Sequence, residues 1–162
     1  MDIRHARIDE LDQIMDIYVH AKKFMDEHGN EKQWAGSNGV TPEKISKMIA
    51  DDTLYVGEEA GILHFVFAYI QGEDPTYKVI TDGAWLNDDY YGTIHRLASN
   101  GTTKGVVNIV TKWALERLSS LRIDTHHDNV VMQNALAKEG FTRCGIIYLE
   151  NGDPRIAYQK VR

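Results

Sequence analysis

A short polar loop at residues 99–105 (SNGTTKG) is the segment best suited to binding chemistry, since none of its seven side chains suits a hydrophobic core. The residues before it, 91–98, predict a strand. The apolar residues after it mark one face of a helix: Val106, Val107, Val110, Trp113 and Ala114. The first N–H groups of a helix have no internal partner and lie at the positive end of its dipole, so such a loop can hold an anion such as phosphate.

Three residues of the loop favour an anion site. Gly101 and Gly105 let the backbone approach a ligand closely, and Lys104 adds a cation. The alternative is an ordinary surface turn before a helix. The spacings of a P-loop (G-x-x-x-x-G-K-[ST]) and of a dinucleotide fingerprint (G-x-G-x-x-G) are absent, so neither of those phosphate sites is supported.

Periodicity in the first half of the chain predicts elements on the N-terminal side of this loop. Residues 2–7 predict a strand, and apolar residues at steps of three and four from Ile8 predict a helix with Asp9 as its cap. Thr41-Pro42 predicts the start of a second helix. Two apolar runs around Ala60-Gly61 predict a β-hairpin, which a polar, turn-rich segment follows.

The C-terminal half predicts a strand at 121–125, a helix at 129–139 capped by Asp128, and two final strands joined at Asn151-Gly152. The whole order is β-α-α-β-β-β-α-β-α-β-β, which predicts an α/β fold in a single domain over residues 1–162. The β-α-β crossover at 91–125 predicts parallel pairing of its two strands.

Composition bounds the class of protein. The chain has 162 residues and a net charge of −6, which argues against a general affinity for nucleic acid or anionic membranes. Its one cysteine, Cys144, suits a reducing compartment. The charged N-terminus shows no signal peptide and no apolar run is long enough to span a bilayer, so we expect a soluble, cytoplasmic protein.

The C-terminal half carries a family resemblance. The loop–helix–strand series is followed by Asn129, by Met132 and by the sequence KEGF at 138–141. Together with the order of elements, this series resembles the GNAT (GCN5-related) family of acetyl-CoA-dependent N-acyltransferases. The resemblance implies an acyl-CoA N-acyltransferase-like fold, with a mixed sheet of about seven strands flanked by about four helices.

The same resemblance implies a coenzyme A site. The loop from Thr102 to Val107 would hold the pyrophosphate on backbone N–H groups, and Leu97 to Ser99 would bind the pantetheine arm by strand-like hydrogen bonds. Asn129 would contact the cofactor as well. The implied cofactor-binding residues are Leu97, Ala98, Ser99, Thr102, Thr103, Lys104, Gly105, Val106, Val107, Asn129 and Met132.

Two positions depart from the family pattern. The family loop usually reads R/Q-x-x-G-x-G/A, whereas this chain has Thr102, Gly105 and Val107 in those places. Many relatives also carry a tyrosine seven residues after the asparagine, proposed to protonate the leaving thiolate, and here that residue is Leu136. Thr102 removes one cation from the loop, although Lys104 and the backbone donors remain. The role of the acid is either unfilled or filled from elsewhere.

Three residues are candidates for catalysis. His95 lies two residues before Leu97, so strand alternation would put both on one face, near the thioester if the resemblance holds, where a histidine suits a general base. The alternative is a strand histidine satisfied by a neighbouring side chain. His126 follows the next strand and could face substrate, or could belong to a polar turn that caps a helix. Tyr148 could replace the missing acid, or could be a packed strand aromatic.

The expected activity is transfer of an acetyl group from acetyl-CoA to a primary amine of a small molecule or peptide by direct attack. The alternatives are a non-catalytic acyl-CoA-binding module of the same fold and an unrelated α/β ligand-binding domain. We expect no metal and neither a nucleic-acid nor a membrane partner; the oligomeric state stays open, with a homodimer as one option. Trp34 and Trp85 either line an acceptor pocket or pin their loops to the core.

Overall fold

The computed structural model describes residues 1–162. Its strands are β1 (Asp2–His5), β2 (Leu54–Glu59), β3 (Ile62–Gln71), β4 (Gly92–Ser99), β5 (Ser120–Thr125), β6 (Thr142–Tyr148) and β7 (Pro154–Val161). Its helices are α1 (Leu11–Glu27), α2 (Pro42–Ala50), α3 (Val106–Arg117) and α4 (Val130–Lys138). The strands form one mixed seven-stranded sheet in the order β1-β2-β3-β4-β5-β7-β6. These elements confirm the predicted α/β fold and the order of its parts.

The sheet pairs its strands as the connections require. The short loops β2–β3 and β6–β7 join antiparallel neighbours, as hairpins do. By contrast, β4 and β5 are parallel, with Gly92 opposite Leu121 and Thr93 opposite Arg122. The predicted crossover through α3 is therefore confirmed.

The chain divides into two compact units by its contacts. The first comprises residues 1–69 and 95–106, and the second comprises residues 70–94 and 107–162. In the first unit, α1 and α2 contribute buried aliphatic side chains to a core shared with β2 and β3. That core contains Ala6, Ile14, Ile17, Tyr18, Ile45, Ile49, Leu54, Val56, Leu63, Val66, Ala68 and Ala98.

The two helix starts of the first unit differ in how well the sequence predicts them. Thr41 caps α2 as expected, because its side chain accepts a hydrogen bond from Lys44 N at 3.2 Å and Pro42 is the first helical residue. The prediction that Asp9 caps α1 is wrong. The chain first makes a 3₁₀ turn, and Glu10 instead accepts the backbone N–H of Arg7 at 2.9 Å.

In the second unit, β6 and β7 contribute Ile147 and Ala157 to a small core that also contains Tyr77 and Tyr91. The Asn151-Gly152 turn that joins β6 to β7 forms as predicted, with Gly152 at a φ of 89°. The prediction that Asp128 caps α4 is wrong. Asn129 is the cap, because its Oδ1 accepts the Met132 N–H at 3.0 Å.

The segment between β3 and β4 is irregular, as its polar, turn-rich sequence predicts. It contains one 3₁₀ turn, Pro75–Tyr77, and one isolated bridge between Thr81 and Ile146. The two hydrogen bonds of the bridge measure 2.9 and 2.8 Å. This segment therefore partly covers β6, which is an edge strand of the sheet. None of the helices is long and apolar enough to cross a membrane.

Candidate functional site

Strand β4 is kinked at Arg96, whose φ of 55° lies in the left-handed region that residues with a side chain rarely adopt. Such a conformation costs about 1–3 kcal/mol and persists only where neighbouring groups hold it. Two groups of the first unit do so here. The Tyr18 hydroxyl donates to Arg96 O at 2.8 Å, and Arg96 Nη1 donates to Asn38 O at 2.6 Å. The kink is thus tied to α1 and to the connection between α1 and α2.

Tyr18 is well suited to hold this kink. Its side chain is buried, and desolvation raises the pKa of its phenol, so the hydroxyl keeps its proton and donates at neutral pH. Its ring packs edge-on against Trp34, with 5.7 Å between the ring centroids. Trp34 also packs against the core of the first unit, which favours the loop-pinning interpretation of this tryptophan over the pocket-lining one.

The kink removes the argument from strand alternation that placed His95 on the same face as Leu97. Side chains alternate between faces only along a regular strand, and Arg96 interrupts that regularity between His95 and Leu97. Strand geometry therefore does not assign the two side chains to one face. His95 and Leu97 are both half-buried, and Ala98 is buried in the core.

Both glycines of the loop after β4 adopt a conformation that a residue with a side chain rarely takes. Gly101 has a φ of 81° and Gly105 a φ of 70°, both in the left-handed region. The first half of the loop is held by its own side chains. Gly101 N donates to Ser99 Oγ at 3.1 Å, and Thr102 N donates to Asn100 Oδ1 at 3.1 Å.

These bonds divide the implied cofactor loop into two parts. Because the N–H of Thr102 already has a partner within the loop, it is less suited to a phosphate than the sequence implies. The N–H groups from Thr103 onward lead into α3, which begins at Val106, and the first N–H groups of a helix have no partner within it. Lys104 is exposed beside them. Residues 103–107 therefore form the stretch that best fits a pyrophosphate.

A residue that sequence reasoning missed lies against this loop. His64, on β3, has its Nδ1 only 2.6 Å from Thr102 Oγ1. The two residues are 38 positions apart, and no local pattern marks the pairing. An open cleft of about 390 Å³ also adjoins the loop in this unit, lined by Gln13, Asp16, Ile17, His20, Gly61, Ile62, Leu63 and Asn100.

In the second unit, His126 belongs to the polar turn before α4. Its Nδ1 accepts the backbone N–H of Asp128 at 2.9 Å, and Gln133 Nε2 donates to the carbonyl oxygens of His126 and His127. These bonds favour the polar-turn alternative. With an N–H directed at Nδ1, the neutral ring carries its proton on Nε2.

Asn129 and Met132 lie together at the start of α4, where Asn129 acts as cap and Met132 is half-buried. The cap accounts for an asparagine at this position on structural grounds alone. Tyr148 is 45% exposed, so it is not a buried aromatic of the core. Its hydroxyl lies 3.5 Å from Thr81 Oγ1, so the phenol oxygen faces a polar neighbour on the surface.

A second arrangement that the sequence did not reveal is the pairing of Tyr77 with Asp124. The buried Tyr77 hydroxyl donates to Asp124 Oδ2 at 2.6 Å, and burial raises the pKa of that phenol well above its usual value. Trp85 donates to Tyr77 O at 2.9 Å, and Arg122 stacks on the Trp85 ring at 4.1 Å. Trp85 therefore pins its loop to the core of the second unit, as one of the two alternatives held.

Comparison with known proteins assigns the family. No protein-family model and no curated protein matches the chain. A solved GNAT-family acetyltransferase from Streptococcus agalactiae is 34% identical over 99% of this chain and 95% of that chain, with a TM-score of 0.89. The chain belongs to the GNAT family of acetyltransferases. The resemblance drawn from the loop, Asn129 and the KEGF sequence is confirmed.

More distant acetyltransferase structures share the fold. A GNAT-family acetyltransferase from Listeria monocytogenes has 19% identity and a TM-score of 0.71, covering 99% of this chain and 94% of its own. A ribosomal-protein-alanine N-acetyltransferase from Brucella melitensis has 16% identity and a TM-score of 0.64, with full coverage of both chains. Membership in the GNAT family supports acyl transfer as the general activity. No group of three or more His, Cys, Asp or Glu residues in the chain could hold a metal ion.

Proposed function

We propose that the protein transfers an acetyl group from acetyl-CoA to a primary amine of a small molecule or peptide by direct attack. The observation that supports this proposal best is the backbone conformation of residues 96–107, in a chain that belongs to the GNAT family. The kink at Arg96, two left-handed glycines and the start of α3 follow one another within twelve residues. Such a stretch fits an elongated ligand with a phosphate-rich middle.

Each part of that stretch has a proposed role. Leu97, Ala98 and Ser99 bind the pantetheine arm through their backbone, and the N–H groups of residues 103–107 bind the pyrophosphate. Lys104 supplies the one cation within the loop. In the second unit, Asn129 and Met132 are proposed cofactor contacts, although the cap role of Asn129 already uses its Oδ1.

The chemistry has three requirements. The amine must be neutral to attack, and an alkylammonium with a pKa of about 10 must first lose a proton. His95 is the proposed base. Backbone N–H groups near Leu97–Ser99 polarise the thioester carbonyl, so that the C–N bond forms as the C–S bond breaks. Tyr148, as an exposed phenol, is the proposed proton donor to the leaving thiolate.

The remaining partners are proposals of the same kind. The reaction needs no metal, and the net charge of −6 suits a cationic amine better than nucleic acid or an anionic membrane. We place the protein in the cytoplasm. A homodimer is compatible with this activity and is not required by it.

Acetyl-CoA and a broad amine panel test the proposal, with free thiol as the readout. We expect thiol release with at least one amine, and a large loss of rate in His95→Ala with coenzyme A affinity unchanged. Coenzyme A binding without thiol release from any amine would instead support the non-catalytic acyl-CoA-binding module. Leu136 and the loop residues Thr102 and Val107 favour that second candidate, since they replace side chains common in the family.

Gly105→Glu is a direct test of the loop. The substitution adds a side chain at a φ of 70° and a negative charge beside the phosphates, so we expect a loss of coenzyme A affinity of at least tenfold. Calorimetry on the folded variant measures it. Unchanged affinity would remove the loop from the site.

A further inference from the structure

Hydrogen bonds fasten the loop at residues 99–105 to strand β3. His64 Nδ1 lies 2.6 Å from Thr102 Oγ1, which in turn lies 2.5 Å from Asn100 Oδ1. Asn100 also donates its side-chain amide to Leu63 O at 3.2 Å and its backbone N–H to His64 O at 3.1 Å. Leu63 and His64 thus hold the loop at three points.

The donors and acceptors of this chain can be assigned. The Asn100 amide nitrogen is directed at Leu63 O, so its oxygen faces Thr102 and accepts both the N–H and the hydroxyl of that residue. The single hydroxyl proton of Thr102 is then used, and Thr102 Oγ1 must accept from His64 Nδ1–H. Since that N–H exists in one neutral tautomer and in the imidazolium, the bond holds in both charge states.

We propose that His64 is a positioning residue for the coenzyme A loop, an inference that rests on the proposed function. By fixing Thr102, it holds the first half of the loop still, so that the following N–H groups are ordered before the pyrophosphate arrives. A pre-ordered loop loses less conformational entropy on binding. In this proposal the Thr102 hydroxyl helps to order the loop. The arginine or glutamine usual at this position in the family would instead offer its side chain to the ligand.

The two side chains act as one unit in this proposal, which a double-mutant cycle detects. The variants are His64→Ala, Thr102→Val and the double substitution, with coenzyme A affinity measured by calorimetry on the full chain. We expect each single substitution to weaken binding about fivefold, the size of one hydrogen bond. The double variant should be no weaker than the worse single variant.

Two further variants separate positioning from general destabilisation. His64→Asn keeps an amide N–H near the place of Nδ1, and we expect its affinity to stay within about twofold of wild type. Thr41→Ala removes the α2 cap in the same unit. It serves as a control that lowers the free energy of unfolding, as His64→Ala does, without touching the loop. We expect it to bind coenzyme A like wild type. Amide hydrogen exchange should quicken at residues 100–105 in His64→Ala and not in Thr41→Ala.

Three results would overturn the inference while leaving the proposed function intact. These are additive losses in the double variant, wild-type affinity in His64→Ala, and a loss in Thr41→Ala equal to that in His64→Ala. A wild-type protein that does not bind coenzyme A would reject the proposed function itself, and the inference with it.

Discussion

At the scale of single residues, some buried polar groups are matched by partners distant in sequence or across a turn. Glu10 shows this most clearly, because its side chain is only 6% exposed and bonds to the Arg4 guanidinium at 2.9 and 2.7 Å. Arg4 also pairs with Glu58, on β2. Glu10 thereby replaces Asp9 as the residue that orders the start of α1, since only its carboxylate reaches both Arg4 and the Arg7 N–H.

This ion pair predicts a pH dependence of stability. Hydrogen bonds from Arg4 hold the pKa of the Glu10 carboxyl below its usual value. A carboxyl with a lowered folded pKa stabilises the fold above its unfolded pKa of about 4.3, and the stabilisation is lost as pH falls through the folded pKa. We expect Glu10→Gln to lower the free energy of unfolding by about 1–3 kcal/mol at neutral pH, and by less at about pH 3.

Urea unfolding of wild type and variant at both pH values measures the difference. Glu116→Gln, at an exposed position of α3, is the control and should cost little at either pH. If Glu10→Gln lowers the free energy of unfolding by the same amount at both pH values, the ionic role of Glu10 would be contradicted.

At the scale of elements, the kink of β4 is the feature that most affects the proposed site. The left-handed Arg96 is stable because α1 supplies a buried hydroxyl and the α1–α2 connection supplies a carbonyl. Both partners lie more than fifty residues away in sequence. The kink thus depends on how the first unit packs, and β4 reads as an ordinary strand in the sequence.

Substitutions at Arg96 separate the backbone kink from the side chain. Both Arg96→Gly and Arg96→Val lose the guanidinium hydrogen bond to Asn38. Glycine adopts the left-handed conformation freely, whereas β-branched valine disfavours it. We expect Arg96→Val to be less stable than Arg96→Gly by about 1–3 kcal/mol and to bind coenzyme A more weakly. Urea unfolding and calorimetry measure the two effects. Equal stability and affinity in the two variants would show that the kink is not required.

The segment that covers β6 depends on a glycine. A Cβ atom at Gly83 would lie 1.9 Å from Cys144 O, and its φ of 153° disfavours other residues. We expect Gly83→Ala to detach residues 80–83 from β6 and to lower the free energy of unfolding by more than about 2 kcal/mol. Hydrogen exchange at the Thr81 and Ile146 amides locates the effect. Gly152→Ala, where no neighbour would meet the Cβ, is the control for loss of a left-handed glycine alone.

At the scale of the whole molecule, ligand binding and folding are linked. A ligand that binds only the native state raises the free energy of unfolding by about 2.7 kcal/mol at a concentration of about 100 times its Kd. We therefore expect coenzyme A to raise the melting temperature of the chain. Adenosine at the same concentration lacks the phosphates and should shift it less. Equal shifts with both compounds would argue against a phosphate site.

The sequence by itself determined the order of elements, the GNAT resemblance, and the polar loop with two glycines between β4 and α3. These follow from local causes, because periodic burial and the turn preference of glycine act over a few neighbouring residues. Only the tertiary structure decided the kink at Arg96, the hold of His64 on Thr102 and the pairing of Tyr77 with Asp124. Each of these joins residues 38 to 78 positions apart. Tertiary packing therefore determines which residue each side chain contacts, and a local sequence pattern does not predict it.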